Sequence, residues 1–353
     1  MKVQCRVLTA IFLLFVLPLA AHSAQRRVII DTDPGTDDAI ALFMAMRSPD
    51  LKIEAITTVF GNVPVELALA NALRLVEIGD RTEIPIAAGA GVPLVRGKVI
   101  EFTVHGKNGL GDVVFPEPKT KPVATKAAQL IREIVRKYPH EVSIIVLGPE
   151  TNLAQALREE PGLASLIDEV VVMGGSLSRG NITPAAEANI YHDPEAARIV
   201  FHSGVKLTMV GLDPLPDGGL SEDDVNRLRA SEKKVPQAAA KILASRWARR
   251  RATGGAYPQR KYLGLPDPAA VAAFLDRSLF QYEQLYVDVE TSGEITAGMT
   301  IGYRSAPEAW RSLHTLGQPN DWSRIGTFKP NCAAAVHVDG PRWEKLMMDL
   351  LIR

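Results

Sequence analysis

The strongest constraint on the fold is an alternation of short β-branched runs with helical segments, which begins after residue 27. Runs such as residues 142–147 and 170–173 are apolar almost throughout, which is typical of strands buried on both faces. The segments between them repeat apolar side chains at the spacing of an amphipathic helix. This alternation predicts an α/β fold with a mostly parallel sheet flanked by helices.

The same two patterns predict the other elements. Predicted strands lie at residues 27–30, 53–59, 142–147, 170–173 and 207–210, and residues 284–289 and 333–338 are predicted as edge strands. Predicted helices lie at residues 37–46, 65–78, 124–137, 151–158 and 194–201, and residues 221–251 are largely helical. Since neither a low-complexity linker nor a repeat interrupts the series, we predict one domain over residues 25–353.

Composition narrows the class of partner. The 353 residues are 46% hydrophobic and 23% charged, which excludes a disordered chain, a coiled coil and a disulfide-stapled miniprotein. Lys plus Arg and Asp plus Glu each number 40, and no long basic run occurs. A dedicated nucleic-acid binder normally carries such a run, so we predict a small-molecule substrate and no nucleic-acid partner.

Residues 1–24 differ from the rest of the chain. Lys2 and Arg6 precede a mostly apolar stretch at residues 8–20, and small residues follow it. This order is typical of a secretory signal peptide, and the apolar stretch is shorter than a membrane-spanning helix requires. We predict an exported protein, periplasmic or secreted, without a stable membrane anchor. Cleavage would leave Cys332 as the one cysteine of the mature chain, so no intramolecular disulfide is expected.

Four carboxylates occur within eight residues directly after the first predicted strand, in the run Asp31-Thr-Asp33-Pro-Gly-Thr-Asp37-Asp38. Clustered carboxylates repel one another strongly unless a cation offsets them, and oxygen ligands suit Ca²⁺ or Mg²⁺. A capped helix start would explain one or two of these acids, but not four. The loop therefore predicts a site for a divalent metal ion.

Other polar residues follow predicted strands in the same way. Asn62 follows the second strand, Thr151 and Asn152 follow residues 142–147, and Gly-Gly-Ser176 follows residues 170–173. In an open α/β sheet, the ligand crevice lies outside the carboxyl ends of the strands, so these residues are expected to converge. Taken singly, Asn62 is typical of a turn and Thr151 of a helix N-cap.

The acidic run, continued by Ala-Ile-Ala-Leu42, resembles the Asp-x-Asp-Pro-Gly-x-Asp-Asp signature of the inosine-uridine-preferring nucleoside hydrolases. Matching segments follow in order at residues 61–63, 147–154, 173–197 and 287–300, and the third contains the spacing Asn-x5-Glu-x-Asn. The resemblance implies an open, Rossmann-like α/β sandwich. It also implies an enzyme that cleaves the N-glycosidic bond of ribonucleosides to give ribose and a free nucleobase.

The resemblance assigns roles to individual residues. Asp37 would be the general base that takes a proton from a metal-bound water. The Ca²⁺ ligands would be Asp33, Asp38, the backbone carbonyl of Thr151, and Asp267. The ribose contacts would be Asn62, Asn181, Glu187 and Asn189. A homodimer or homotetramer is the expected assembly.

One position departs from the family pattern. Many relatives have a His immediately before the late metal-binding Asp, where it can protonate the departing base, but this chain has Pro266 there. Tyr257 and Tyr262 lie just upstream in a Gly- and Arg-rich segment that can form a mobile lid and stack on the base. Both can equally be ordinary half-buried tyrosines.

Two alternatives stay open at this point. Asp31-x-Asp33 after a strand resembles the nucleophile loop of haloacid dehalogenase-type phosphatases, but that function gives the later Asn and Glu residues no role. The absence of an acid at Pro266 is compatible with a nucleoside- or ribose-binding protein without activity. Asp37 argues against that alternative, because binding alone does not require a base.

Overall fold

The structure, a computed structural model, describes residues 25–97, 103–253, 260–303 and 329–353. The predicted signal peptide and Tyr257 lie outside these residues. Within the described ranges, no helix combines the length and the apolar character that crossing a bilayer demands.

A mixed sheet forms the centre of the fold, and nine of the strands in the described ranges belong to it. The strands are β1 (Arg26–Thr32), β2 (Leu51–Thr58), β3 (Ile86–Ala88), β4 (Val142–Val146), β5 (Val170–Met173), β6 (Leu207–Val210), β7 (Leu220–Ser221), β8 (Tyr262–Leu263), β9 (Phe280–Val289), β10 (Thr300–Tyr303) and β11 (Cys332–Val338). The order in the main sheet is β10-β9-β11-β6-β5-β4-β1-β2-β3, with β9 antiparallel to both neighbours and the remaining pairs parallel. A separate antiparallel pair joins β7 to β8.

Helices cover both faces of this sheet. Successive side chains of a strand point to opposite faces, and Ile144 and Ile145 accordingly belong to two different apolar clusters. The helices are α1 (Thr36–Arg47), α2 (Val65–Ile78), α3 (Ala127–Lys137), α4 (Thr151–Glu159), α5 (Ala188–His192), α6 (Pro194–Phe201), α7 (Glu222–Arg229), α8 (Lys234–Thr253), α9 (Pro266–Leu275) and α10 (Gly340–Ile352). The cluster around Ile145 includes side chains of α1, α2, α7, α8, α9 and α10, and the cluster around Ile144 includes those of α3, α4 and α6.

The predicted fold class, a mostly parallel sheet flanked by helices, is confirmed. The helix predicted over residues 65–78 and the strands predicted over residues 170–173 and 207–210 have the predicted bounds. The helix predicted from residue 124 begins only at Ala127, because the backbone of Lys126 is still extended.

The prediction of two edge strands near the C-terminus is wrong. β11 lies inside the sheet, parallel to β6 on one side and antiparallel to β9 on the other, and β9 has β10 as its outer neighbour. Ala334 and Ala335 are completely buried in β11. Their small side chains give a weak hydrophobic signal, so the sequence did not distinguish this interior strand from an edge strand.

The register of the parallel strands positions the acidic loop. Asp31 of β1 is level with Thr57 of β2 and Val146 of β4. The three strands therefore end at one edge of the sheet, and the loops that leave them start close together. This places the residues after Asp31, Thr58 and Val146 around one crevice.

Core packing in α10 can be tested by cavity formation. Trp343 is completely buried. We expect Trp343→Ala to lower the free energy of unfolding by about 3–5 kcal/mol, because the protein loses the buried side chain and keeps part of the cavity. Urea unfolding followed by circular dichroism measures the change. Val114→Ala, at a side chain that is 90% exposed, is the control and should shift stability by no more than about 0.5 kcal/mol.

Candidate active site

The bottom of the crevice carries a group of buried carboxylates. α1 begins at Thr36, four residues after β1 ends, so Asp37 and Asp38 lie in its first turn. Asp267 lies in the first turn of α9. Oxygen atoms of Asp37, Asp38 and Asp267 lie within 4.8 Å of one another, and all three residues are buried. Helix N-termini favour negative charge, which explains why two helix starts can supply these carboxylates.

Short hydrogen bonds orient the two carboxylates that flank Asn62. The Asn62 backbone N–H donates to Asp33 Oδ2 at 2.6 Å, and its side-chain Nδ2 donates to Asp38 Oδ2 at 3.0 Å. The hydroxyl of Thr32 donates to Asp38 Oδ1 at 2.6 Å. The Gly35 N–H donates to Asp38 Oδ2 at 2.9 Å. One asparagine thus fixes both acids.

Two glycines give Asp33 the space it occupies. A Cβ atom at Gly61 would lie 2.0 Å from Asp33 Oδ2, and one at Gly148 would lie 2.9 Å from Asp33 Oδ1. Contacts this short between real atoms require a displacement. The Gly-Asn and Gly-Pro turns after β2 and β4 therefore allow the backbone to close over this carboxylate.

The electrostatics of this group fit a bound cation. Burial and neighbouring carboxylates, chiefly Asp38, raise the pKa values of Asp33 and Asp267 well above their usual range. Within the described residues, no hydrogen-bond donor reaches Asp33 Oδ1, although this atom is buried. A buried carboxylate oxygen without a donor is costly, and a hard cation bound by oxygen ligands would offset that cost. The group of Asp37, Asp38 and Asp267 can therefore hold a divalent metal ion, and the charge of Asp33 interacts with that of Asp38 beside it. Coordination by Asp33 stays a prediction.

Asp37 differs from its neighbours because it faces a positive charge. Its Oδ1 lies 3.2 Å from Nη1 of Arg246 and 3.4 Å from Nδ1 of His105. Burial is the largest influence on this carboxyl and opposes its ionisation, but the Arg246 guanidinium and further polar contacts together outweigh burial and lower the pKa below its usual value. Asp37 is consequently ionised at neutral pH and can accept a proton.

The hydrogen bonds of His105 define its tautomer. The Thr36 backbone N–H donates to His105 Nδ1 at 3.1 Å, so this nitrogen carries no proton. Burial lowers the pKa of His105 to about 4, which keeps the ring neutral at pH 7. The single ring proton then resides on Nε2, and His105 presents a hydrogen-bond donor in the wall of the crevice.

Above the carboxylates lies a cavity of about 540 Å³, a volume typical of small-molecule sites. Of the predicted site residues, Asp37, Asn62, Asn181 and Tyr262 line it, and so does Pro266. The remaining lining residues among those described are Gly61, Val104, His105, Ile182, Ala188, His192, Leu212, Leu215, Arg246, Arg249, Arg250, Thr253, Arg260, Leu263 and Gly264.

Three predicted site residues lie behind this wall. Glu187 accepts hydrogen bonds from the backbone N–H groups of Gly175, Asn189 and Ile190. The side-chain Nδ2 of Asn189 donates to the carbonyl oxygens of Leu147 and Met173, at 2.7 and 3.0 Å. The hydroxyl of Thr151 donates to Asp193 Oδ2 at 2.7 Å. These bonds tie the ends of β4 and β5 to α4, α5 and α6.

Tyr262 lines the cavity from β8, and its hydroxyl donates to the backbone carbonyl of Pro216. This bond holds the ring beside the cavity. Stacking of Tyr262 on a nucleobase stays a prediction.

Arg246 contacts the predicted base Asp37, although no motif of the sequence includes Arg246. Its Nη1 also donates to Thr36 Oγ1 at 2.8 Å, across 210 residues of sequence. The sequence does carry a local sign of a shared polar face. One face of α8 carries four polar residues at helical spacing: Arg246, Arg249, Arg250 and Thr253. That signal alone does not show which element the face packs against.

Comparison with known proteins identifies the family. The model of the inosine-uridine preferring nucleoside hydrolase family matches residues 28–345. The chain belongs to this family. The predicted enzyme class, a hydrolase of the N-glycosyl bond of ribonucleosides, is confirmed for this nucleoside hydrolase.

Its relatives span enzymes named for different nucleobases. The probable uridine nucleosidase 2 of Arabidopsis thaliana is 39% identical over 332 residues, which cover 93% of this chain and 98% of the relative. The pyrimidine-specific ribonucleoside hydrolase RihA of Photobacterium profundum is 42% identical over 279 residues, covering 78% and 88%. The solved purine-preferring ribonucleoside hydrolase from Gardnerella vaginalis is 30% identical, with a TM-score of 0.83 and coverage of 93% and 98%.

The predicted metal site can be tested by comparing thermal stability without and with metal after one of the clustered carboxylates is removed. In the presence of a chelator, Asp267→Asn should raise the thermal unfolding midpoint, because it removes one of several mutually repelling buried carboxylates. With millimolar CaCl2 or MgCl2, the unmodified protein should gain stability by ligand linkage, and the variant should gain much less. Differential scanning calorimetry measures both midpoints.

The control is Asp80→Asn. Asp80 is an exposed carboxylate in a left-handed backbone conformation that Asn also tolerates. It should change neither the midpoint in chelator nor the gain with metal. Equal stabilisation of Asp267→Asn and the unmodified protein by metal would contradict a metal site at Asp267.

Proposed function

We propose that this nucleoside hydrolase is an exported, Ca²⁺-dependent enzyme in which Asp37 activates the attacking water. The observation that carries the proposal is the position of Asp37. It is an ionised carboxylate on the wall of the cavity, and it lies within 4.8 Å of two carboxylates that can hold a metal ion. A base beside a cation is the arrangement that hydrolysis with a water nucleophile requires.

The proposed Ca²⁺ ligands are Asp33, Asp38, Asp267 and the backbone carbonyl of Thr151. Oxygen ligands from carboxylates and carbonyls are the set that Ca²⁺ prefers. Bound Ca²⁺ supplies a positive charge that polarises water and sugar hydroxyls. The chain supplies the orientation, since Asn62 fixes two of the carboxylates through its backbone and side chain.

Asp37 takes one proton from the water as the water oxygen bonds to C1′ of the ribose. The N-glycosidic bond breaks, its electron pair leaves with the nucleobase, and the sugar passes through an oxocarbenium-like state. Asn62 and Asn181 line the cavity and are proposed to bind ribose hydroxyls. Direct ribose contacts of Glu187 and Asn189 stay predictions, because both side chains already form hydrogen bonds with backbone groups.

Three further features belong to the proposal. Residues 1–24 have the composition of a signal peptide, which supports export to the periplasm or beyond the cell. Residues 25–353 are proposed to form one catalytic domain. A homodimer or homotetramer is proposed from the family resemblance alone.

The role of Asp37 as a base can be tested by the kinetics of a variant. We expect Asp37→Ala to lower kcat by roughly 10²-fold or more, the scale of a lost general base, while the substrate still binds. Steady-state kinetics at saturating Ca²⁺ together with direct binding measurements separate the two effects. A loss of binding that accounts for the entire loss of activity would make Asp37 a ligand or structural acid instead.

Departure of the nucleobase is the step for which the chain offers least help, because Pro266 has no proton to give. We expect 4-nitrophenyl riboside, whose leaving group is activated, to be cleaved much faster than inosine or uridine. Pro266→His should narrow this difference by speeding the natural nucleosides selectively. Turnover of nitrophenyl riboside, inosine, adenosine, guanosine, uridine and cytidine is the measurement.

The same panel tests the alternatives. Uridine cleaved as fast as nitrophenyl riboside would show that another group already serves as an efficient acid. Cleavage of none of the ribosides would contradict the proposed activity and favour a nucleoside-binding protein.

A further inference from the structure

A short loop brings a histidine to the proposed base. It spans residues 105–112, and we call it the His105 loop. The Thr36 backbone N–H donates to His105 Nδ1 at 3.1 Å, and the same nitrogen lies 3.4 Å from Asp37 Oδ1. A displacement of this loop therefore moves a side chain that is in direct contact with the base.

Polar side chains of the His105 loop bind its own backbone. Asn108 Oδ1 accepts hydrogen bonds from the N–H groups of Leu110 and Asp112, both at 2.9 Å. Asp112 Oδ1 accepts one from the Lys107 N–H at 2.6 Å. A Cβ atom at Gly106, where φ is +79°, would lie 2.8 Å from the Asp112 backbone nitrogen, so the two ends of the loop are in close contact. A displacement of Asp112 is consequently passed on to the rest of the loop.

Helix α8 holds the loop at the same residue. Arg249 Nη2 donates to Asp112 Oδ2 at 3.0 Å, the carboxylate oxygen that does not bind Lys107. Next to this ion pair, a Cβ atom at Gly111 would lie 1.8 Å from Ser245 Oγ. The missing side chain at Gly111 lets α8 lie directly against the loop backbone. The ion pair therefore joins two segments that are already in contact.

The same helix also reaches the base. Arg246, three residues before Arg249 on α8, has its Nη1 3.2 Å from Asp37 Oδ1 and donates to Thr36 Oγ1 at 2.8 Å. Asp37 Oδ1 is thus contacted by one side chain from α8 and by another, His105, from the loop. Since the ion pair of Arg249 joins the helix to the loop, it fixes the separation of these two contacts.

We propose that Arg249 and Asp112 are positioning residues for hydrolysis: their ion pair holds the His105 loop against α8 and thereby keeps the Asp37 carboxylate oriented toward the attacking water. This inference rests on the proposed role of Asp37 as the base. Orientation matters because a displacement of about 1 Å in a catalytic group can lower turnover by about 10²-fold. Asp112 is not among the described residues that line the cavity, so it acts through the loop and Arg249.

Two variants break the pair from opposite sides. Asp112→Asn removes the charge but keeps an oxygen for the Lys107 N–H, and Asn tolerates the left-handed backbone at this position, where φ is +62°. Arg249→Gln removes the other charge. With 4-nitrophenyl riboside at saturating Ca²⁺, we expect each variant to lower kcat by about threefold to tenfold and to change KM by less than about twofold. The double variant should lose no more than either single variant, because all three lack the same contact.

The matched control is a second ion pair on the same helix. Arg251 Nη1 lies 2.6 Å from Glu222 Oε1, and both side chains are exposed. Arg251→Gln and Glu222→Gln should leave kcat and KM unchanged. Exposed ion pairs contribute little to stability, so the thermal unfolding midpoint should remain nearly constant in every variant. A loss of kcat at an unchanged midpoint separates positioning from general destabilisation.

Several outcomes would overturn the proposal while the activity stands. Unchanged kcat in Asp112→Asn or in Arg249→Gln is one. A second is a rise in KM without a loss of kcat, which would make Arg249 a substrate contact. A third is a loss in the double variant that equals the product of the two single losses.

A measurement without substrate separates this proposal from the proposed activity. If the unmodified protein cleaves no riboside, the proposed activity fails, and amide hydrogen exchange followed by mass spectrometry tests the role of the ion pair. Faster exchange over residues 105–112 in both Asp112→Asn and Arg249→Gln, but not in Arg251→Gln, supports an ion pair that holds the loop. Equal exchange in all four proteins overturns it.

Discussion

Repulsion among buried carboxylates is the constraint on which the rest of the site depends. Asp33, Asp38 and Asp267 are each almost fully buried at the edge of the sheet. Hydrogen bonds from neighbouring residues, turns that contain glycine, and two helix N-termini hold these carboxylates in place. A fold that relied on apolar packing alone would not concentrate like charges in this way. The metal-binding capacity follows from this concentration, whereas the lowered pKa of Asp37 follows from its contact with Arg246.

The sequence predicted the parts of the molecule that depend on local patterns. Buried parallel strands have a strong β-branched signal, so β4, β5 and β6 were predicted at nearly the observed positions. The acidic loop was recognised because four carboxylates are adjacent in the chain. α9 was not predicted as a helix, since its alanine-rich sequence is apolar on all sides and gives no periodicity. Asp267 was found by family resemblance and not by local pattern.

Side-chain direction was the part that the sequence did not provide. Asn62 and Asn181 line the cavity, whereas Glu187 and Asn189 hydrogen-bond to backbone groups. All four belong to recognisable motifs, and a motif does not state which way a side chain points. Arg246 shows the converse case. It contacts the predicted base although no motif includes it, because the packing of α8 against α1 brings it there.

The contact between Arg246 and Thr36 also bears on how the enzyme acquires activity during synthesis. The N-terminal strands and the acidic loop are synthesised early. Arg246, the cation that favours the ionised form of Asp37, follows Thr36 by 210 residues in the sequence. Asp267 follows later still. A partly synthesised or truncated chain that ends before α9 has the signature motif but lacks Asp267, one of the three clustered carboxylates that could hold a metal ion. We therefore expect hydrolysis of nucleosides only from a chain that has folded with both Arg246 and Asp267 in place.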